Sequence, residues 1–550
     1  MNPRQKPIKY IFISGGVISG IGKGITSASI SYLLQSCGYN VVPLKFENYL
    51  NIDAGTINPI EHGDPFLCED GTEADMDIGT YEKFLNQEMG ADNFYTMGRI
   101  YKTVIDRERR FEYNGEDVEA IPHITNEIIE SIHKTATKKN ADIIIIELGG
   151  TAGEYQNVFY YEASRMLTLK KPNDVIHIHV SYVPTPKHLG EPKTKPTQLS
   201  VRTLNSMGIQ PNFIVARSEG FLDKRRRERF ALFCNVHGED IISNPDVKSV
   251  YEIPLVLHDQ QFEQKILKKL HLDLREPKLD KLKSLIASVQ KPKSKKVTVA
   301  IVGKYFGTGD YQLRDSYAAL FDALDHASWQ EDVEVETKWV DTEKLEKNPD
   351  LLKKSLGSVQ GIVVPIGWGV RGSEGMIAAA NFAREHKIPY FGLCYGMQLA
   401  VVAFARHVAG LADANTTENN ETSPHPVIHL IEGQKDMLER RAYGGTMRLG
   451  GWEALVRPGT LAYELYGTSN TSERHRHRWE FNNAYAPQLE KAGLVISARS
   501  KKEGLVEIIE LDRSVHPFYL GTQGHPEYKS YPGKPHPLFV GFIRACKNRD

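Results

Sequence analysis

Residues 10–24 read YIFISGGVISGIGKG, and the order of residue types in this stretch decides the fold. An apolar, β-favouring run from Tyr10 to Ser14 passes into the glycine-rich segment GGVISGIGKG at 15–24. The next residues, ITSASISYLLQSCG, have the composition of a helix. Strand, glycine turn and helix in that order aim backbone N–H groups and the positive end of a helix at an anion, which Lys23 can neutralise. The spacing departs from a standard Walker A loop, because Gly22 follows Gly16 by six positions and Gly24 stands where Ser or Thr is usual. A magnesium ligand must therefore come from elsewhere. A glycine-rich turn without a ligand is the alternative. The basic start MNPRQKPIKY superficially resembles a signal peptide, but glycines punctuate the apolar run and it continues directly into Lys23.

Working outward, Val41 to Lys45, Ile143 to Glu147, Val175 to Val180 and Phe213 to Ala216 also read as short buried strands separated by helical patterns. That alternation predicts a doubly wound parallel sheet. At Glu276 to Lys296 the sequence changes to EPKLDKLKSLIASVQKPKSKK, a short amphipathic helix with a Lys-rich tail, and this is read as a linker. A second strand series follows at Val297 to Val302, Gly361 to Pro365, Ile388 to Leu393 and Tyr519 to Thr522, while polar Asn415 to Pro426 reads as a loop. The expected architecture is two α/β domains, 1–275 and 297–550, joined by 276–296.

The 550 residues correspond to roughly three to four domain equivalents or to two large domains. With 41% hydrophobic and 25% charged residues, bulk disorder is excluded, and a net charge of -1 supplies no global field for nucleic acid or membrane. The longest uncharged apolar stretches, such as 397–405, fall short of the ~20 residues that span a bilayer. Five cysteines without CxxC spacing argue against a disulfide framework or structural zinc site and suit a cytoplasmic setting.

Two acidic positions are candidates for the missing metal ligands. Glu147 ends the strand IIIIE, where ligands of parallel sheets gather, and Asp77 lies in EDGTEADMDIG. Asp77 reads equally as part of a solvated acidic loop. In EPKTKPTQ, Lys193 and Lys195 are two apart, so an extended chain would turn both ammonium groups to one side as a triphosphate clamp. Arg225 to Arg229 form a second basic cluster, for which a solvated helix face is the plainer reading.

In the second series, IPYFGLCYGMQLAVVAFARHV reads as a strand, a glycine-flanked elbow carrying Cys394, and a helix opening near Met397. A cysteine at a helix N-terminus has its thiolate stabilised by the dipole. Far downstream, GTQGHPEY places His525 and Glu527 two residues apart, on one face if extended, as a base and its orienting carboxylate. The turn PIGWG offers the Gly367 N–H opposite that of Tyr395 for an oxyanion.

Together FISGGVISGIGKG, NIDAGTINPIEHG, EDGTEADMDIG, IELGGTAG, GEPKTKPTQLSV, ALFCNV, GLCYGMQ, GGTMRLG, RHRHRWEFNN and HPEY resemble the CTP synthase family over nearly the whole chain. The resemblance implies a P-loop-like amidoligase domain followed by a class I glutamine amidotransferase domain. The implied reaction turns ATP, UTP and glutamine into CTP, ADP, phosphate and glutamate. It implies ATP contacts at Gly20, Ile21, Gly22, Lys23, Gly24, Ile25, Lys45, Asp77 and Val247, with magnesium on Asp77 and Glu147. UTP or CTP would be bound by Ser19, Glu154, Tyr155, Gln156, Lys193, Lys195, Gln198 and Arg229. Cys394 would attack the carboxamide, His525 would shuttle the proton and Glu527 would orient His525. Gly367 would complete the oxyanion hole, and with it Tyr395, Gln398, Glu418 and Arg478 would hold glutamine. Ammonia would cross an internal channel near His62. GTP activation, CTP feedback, a homotetramer and, in some members, filaments are also implied.

Against the family pattern, KxDPY is Lys45-Phe46-Glu47-Asn48-Tyr49 here, NxDPGT is NIDAGT, PGGFG is PIGWG with Ile366, and Arg229 and Pro245 stand where lysines are usual. After GGTAG the acidic-hydrophobic-acidic triplet is Glu154-Tyr155-Gln156, so its second carboxylate is an amide. Two other readings fit the same motifs: an amidoligase acting on another carbonyl, and a filament-forming paralogue without turnover. The KTKPTQ segment favours a nucleoside triphosphate, and intact Lys23, Asp77, Glu147, Cys394, His525 and Glu527 favour turnover.

Overall fold

The computed structural model describes residues 7–59, 63–308, 311–312, 314–348 and 350–549. Two compact units form, Met1–Asp53 with Asp77–Val289, and Ala54–Met76 with Gln290–Asp550.

In the first unit seven parallel strands lie in the order Phe94–Thr96, Val41–Glu47, Ile143–Leu148, Lys9–Gly16, Val175–Tyr182, Phe213–Ser218 and Ile241–Pro245. Both faces are covered, which is why the strands read as unbroken apolar runs. Ile11, Ile13, Ile143 and Ile145 pack on one side with Ile30, Leu33 and Leu34 of the helix Lys23–Ser36. The alternate residues Tyr10, Phe12, Ile144 and Ile146 pack on the other with Ile128 and Ile132 of the helix Thr125–Lys138. The carboxyl ends of Lys9–Gly16, Val41–Glu47 and Ile143–Leu148 lie side by side, so the segments that follow them meet at one edge.

The second unit holds a nine-stranded sheet that is mixed rather than wholly parallel. Val333–Asp341, Lys295–Gly303, Gly361–Val364, Tyr390–Leu393 and Tyr519–Thr522 run parallel; Val506–Leu511, Leu494–Ser500, Arg448–Val456 and Asn470–His477 extend it antiparallel. Helices Ser373–Glu385 and Tyr395–His407 cover one face and Ala318–Glu331 and Pro537–Lys547 the other. The polar stretch Asn415 to Pro426, expected as a loop, overlaps the short strand Ala414–Thr416 and the start of its partner His425–Leu430.

Two stretches depart from the expected contiguous layout. Segment 276–296 is not a free linker: its helix Asp280–Gln290 buries Leu282 and Ile286 in the core of the first unit, and Lys295 and Lys296 open a strand of the second. Residues 54–76 group with the second unit because their hairpin, Phe66–Leu67 with Glu73–Ala74, is held by buried arginines of the RHRHR run. Arg474 donates to the Leu67 carbonyl at 2.9 Å and Arg476 to Glu73 at 2.6 Å.

Candidate functional site

The first unit gathers its charged candidates around Lys45. This buried ammonium lies 2.8 Å from Glu147, 2.5 Å from Asp77 and 3.1 Å from Glu47. Asp77 comes from the first turn of the helix Met76–Leu85, and Tyr81, one turn on, donates its hydroxyl to the other oxygen of Glu147. Asp77 belongs to this cluster, not to a solvated acidic loop. Burial raises the affinity of both carboxylates for protons. Asp77 nevertheless stays below its usual range because Lys45 and Lys23 attract its charge, whereas Glu147 is held above its range by burial despite Lys45, with Asp77 adding repulsion.

The glycine at 24 has a direct cause here. A Cβ on it would lie 1.9 Å from Asp77 Oδ1, so the carboxylate occupies the space a Walker-type Ser or Thr would fill. Lys23 opens the helix behind Gly22, whose φ is +85°, and donates to the Gly150 carbonyl at 2.9 Å. Residues 17–20, including Ser19 and Gly20, are exposed, whereas Ile21 is buried and Ile25 half-buried. Val17 adopts φ +81°, an unusual conformation for a β-branched residue. Val247 packs partly buried against the same core as that helix.

Asp77 and Glu147, two of the three carboxylates around the buried Lys45 ammonium, form a hard-oxygen donor pair, and such a pair fits magnesium. Among the described residues no group of three or more His, Cys, Asp or Glu side chains is arranged to hold a metal. An ion here would therefore complete its shell with phosphate oxygens and water.

The expected nucleotide clamp is built differently from the extended-chain reading. Thr194 is already helical in φ/ψ and Lys195 begins the helix Lys195–Ser206, so strand alternation does not align the two lysines. Lys193 pairs with Glu191 at 2.5 Å, Lys195 is exposed, and Gln198 is buried with its amide on Thr194. Arg229 lies exposed on the helix Lys224–Cys234 over the Phe233 ring. Glu154 accepts the Thr151 N–H and hydroxyl, both at 2.7 Å, and the Asn48 amide at 3.0 Å. Asn48 is the residue that replaces the family's proline. Tyr155 and Gln156 are exposed.

In the second unit, the strand Tyr390–Leu393 turns at Cys394 into the helix Tyr395–His407, which opens two residues before the expected Met397. Cys394 has φ +50° and ψ -98°, a strained elbow for a residue with a side chain. The flanking glycine is required, since a Cβ at Gly396 would lie 2.0 Å from the Val364 carbonyl oxygen. His525 and Glu527 meet as expected, Nδ1 to Oε1 at 2.8 Å, although the segment is a 3-10 turn, Pro526–Lys529, and not extended. His525 Nε2 is buried without a hydrogen-bond partner among the described residues. Burial opposes protonation of the imidazole, but Glu527 and Cys394 outweigh it and push its pKa up to about 10.

Gly367 lies against Tyr395: a Cβ on it would be 3.1 Å from the ring and 2.8 Å from Lys304 Cε. The next turn hangs on two side chains. Lys304 donates to the carbonyls of Trp368, Gly369 and Arg371, and Glu418 accepts the Gly369 N–H at 2.7 Å. Burial pushes the Glu418 carboxyl up to about 7 and lowers the Lys304 ammonium to about 8. The Tyr395 hydroxyl donates to the Gly369 carbonyl at 3.0 Å. Gln398 is buried beneath the elbow, bonded to the Trp479 carbonyl. Arg478 is buried and bonded to Gln434 and the Tyr443 carbonyl, and among the described residues no hydrogen bond joins it to the cysteine elbow. His62, expected beside a channel, lies outside the described residues.

Sequence reasoning missed Tyr81, Lys304 and Gln523. Tyr81 had a usable signal, since it follows Asp77 by four positions on one helix face. Lys304 had none beyond its position after a strand.

A strained cysteine elbow on a parallel sheet, with a buried His–Glu pair after the neighbouring strand, defines a class I glutamine amidotransferase, and residues 312–545 match the family model described as "Glutamine amidotransferase class-I". Residues 9–272 match the model "CTP synthase N-terminus". The CTP synthase of Caldanaerobacter subterraneus subsp. tengcongensis is 47% identical over 98% of this chain and 98% of its own length. A CTP synthase of Thermus thermophilus is 45% identical over 98% and 97%. The glutaminase domain of Trypanosoma brucei CTPS with bound acivicin is 36% identical, covering 46% of this chain and 95% of that one, at a TM-score of 0.42. The chain belongs to the CTP synthase family. It is a glutamine-hydrolysing ligase of two α/β domains.

Proposed function

We propose that this chain aminates UTP at C4, consuming ATP and taking ammonia from glutamine, to form CTP. The observation that supports this most strongly is the presence in one chain of two complete constellations, Lys23–Lys45–Asp77–Glu147 and Cys394–His525–Glu527. The first suits phosphoryl transfer, whose catalysis is mostly positioning and charge neutralisation. Lys23, in the glycine loop, neutralises the nucleotide phosphates. Asp77 and Glu147 would hold magnesium, which when bound screens the phosphate charge. Lys45 sits between these carboxylates and exchanges one anionic partner for another as nucleotide enters. ATP would thereby phosphorylate O4 of uracil, and ammonia would displace the phosphate.

In the second unit, Cys394 attacks the glutamine carboxamide and the tetrahedral oxyanion forms beside the Tyr395 and Gly367 N–H groups. His525, held by Glu527, gives its proton to the departing ammonia and then takes one from water to hydrolyse the thioester. Glu418 suits the α-ammonium of glutamine. Within this reading Lys193, Lys195, Gln198 and Arg229 bind the pyrimidine triphosphate. GTP activates the glutaminase, CTP is a feedback ligand, ammonia travels through an internal channel, and four copies assemble. The five cysteines, all buried and none in a disulfide, support a reducing cytoplasmic setting.

The test is turnover of purified chain with ATP, magnesium and each of several pyrimidine triphosphates, with either glutamine or ammonium chloride. CTP from UTP with both nitrogen sources is expected. Turnover of another pyrimidine in preference to UTP would transfer the assignment to a different amidoligase.

A further inference from the structure

The Cys394 sulfur has one neighbour that the catalytic reading does not use. Gln523 is fully buried just after the strand Tyr519–Thr522, and its amide nitrogen lies 3.4 Å from Cys394 Sγ. The backbone fixes both ends of this contact, because the Cys394 N–H donates to the Thr522 carbonyl at 2.7 Å and the Gln523 N–H to the Glu507 carbonyl at 2.8 Å.

Which end of the Gln523 amide faces the sulfur follows from a chain of hydrogen bonds with one permitted polarity. The Trp479 carbonyl can only accept, so the Gln398 atom 2.7 Å from it is the NH₂ group. The second hydrogen of that nitrogen is then spent 3.2 Å away on Gln523, whose facing atom must be the oxygen. The Gln523 nitrogen is thereby turned to Cys394. Reversing the Gln523 amide would set two NH₂ groups against each other and an oxygen lone pair against the sulfur.

Around Sγ the polar groups pull in opposite directions. The Arg476 carbonyl, 3.8 Å away, accepts the S–H and so favours the neutral thiol. The Gln523 N–H favours the anion, as does His525 in its protonated form. Charged groups close by include Glu527 on His525 and Arg476, which pairs with Glu73 at 2.6 Å and Asp64 at 3.5 Å.

We infer that Gln523, oriented by Gln398, is a dedicated hydrogen-bond donor to the Cys394 sulfur that stabilises its thiolate during glutamine hydrolysis. The role rests on Cys394 being the nucleophile. It also changes what Gln398 can do for a ligand: with both of its amide hydrogens spent, Gln398 offers only an acceptor.

The experiment measures carbamidomethylation of Cys394 by iodoacetamide in the full chain against pH, read by mass spectrometry. The thiolate displaces iodide and forms the thioether. Gln523→Met removes the donor at similar length without adding charge. Its expected result is a reaction about tenfold slower at neutral pH, with the midpoint of the profile about one unit higher and an equal fall in glutaminase kcat/KM. Gln398→Met, which frees the Gln523 amide to turn, should slow the reaction about threefold, and it carries the test if Gln523→Met does not fold. Profiles superimposable on wild type in a folded variant would overturn the donor role. Glutamine hydrolysis surviving complete labelling of Cys394 would instead overturn the nucleophile reading beneath it.

Discussion

Lowering the pH through neutrality should disable glutamine capture at Glu418. Glu418 is the acceptor for the Gly369 N–H and suits the ammonium of the substrate, yet burial pushes its carboxyl up to about 7. A carboxyl whose affinity for protons is raised is ionised only above that value. The competent fraction is then about nine-tenths at pH 8, half at pH 7 and a tenth at pH 6. Glutaminase kcat/KM, which reports the free enzyme, should therefore fall about tenfold from pH 8 to pH 6. Bound glutamine places an ammonium beside the carboxylate and restores its ionisation, so kcat should change much less over the same range. Lys304, its ammonium lowered to about 8, is about half charged at pH 8 and about nine-tenths charged by pH 7, so its own titration falls at the alkaline end of the range and the drop below pH 7 belongs to Glu418. The assay is glutamate release at varied glutamine and pH, with Glu418→Gln in parallel. The variant should bind glutamine weakly at every pH and lose the limb near 7. An unchanged limb in Glu418→Gln would refute the assignment.

Cys394→Ala should abolish CTP formation from glutamine and retain it from ammonium chloride, since only the first route needs the thiolate; glutaminase activity in the variant would exclude Cys394 as nucleophile. Lys23→Ala and Asp77→Ala should each lower synthesis with both nitrogen sources by at least about a hundredfold, because they act before ammonia is used. Near-normal ammonia-dependent rates would remove them from the phosphate site. CTP feedback should be weak in wild type and strengthened about tenfold in Gln156→Glu. Gln156 is exposed and neutral, and the one nearby carboxylate of the triplet, Glu154, already accepts three hydrogen bonds from Thr151 and Asn48. Potent inhibition unaltered by the substitution would show that this position does not set feedback.

Strands were legible because burial on both faces leaves runs such as IIIIE with no polar alternation to confuse them, and the glycine loop and cysteine elbow were legible because their backbone conformations demand particular residues. Antiparallel strands such as Arg448–Val456, half buried and interrupted by Gly450 and Gly451, carry no comparable signal. Nor does any shift in composition mark residues 54–76 as part of the second unit, since the cause is a pair of buried arginines some four hundred positions away. The His525–Glu527 contact shows how a right pairing can follow from a wrong conformation. Spacing of two predicts a shared strand face, but Pro526 starts a 3-10 turn and the turn itself closes the 2.8 Å bond. The same logic failed for Lys193 and Lys195, where Pro196 sits in the first turn of a helix and no such closure occurs. Spacing alone therefore did not specify either site; the local backbone conformation decided which pair closed. Asp77 was ambiguous as one acid among several, and it becomes specific once Gly24 is seen to lack the atom that would collide with it. Gln523 lies beyond sequence reasoning for a related reason: its function depends on which end of its amide faces Cys394, and that choice is made by the Trp479 carbonyl through Gln398.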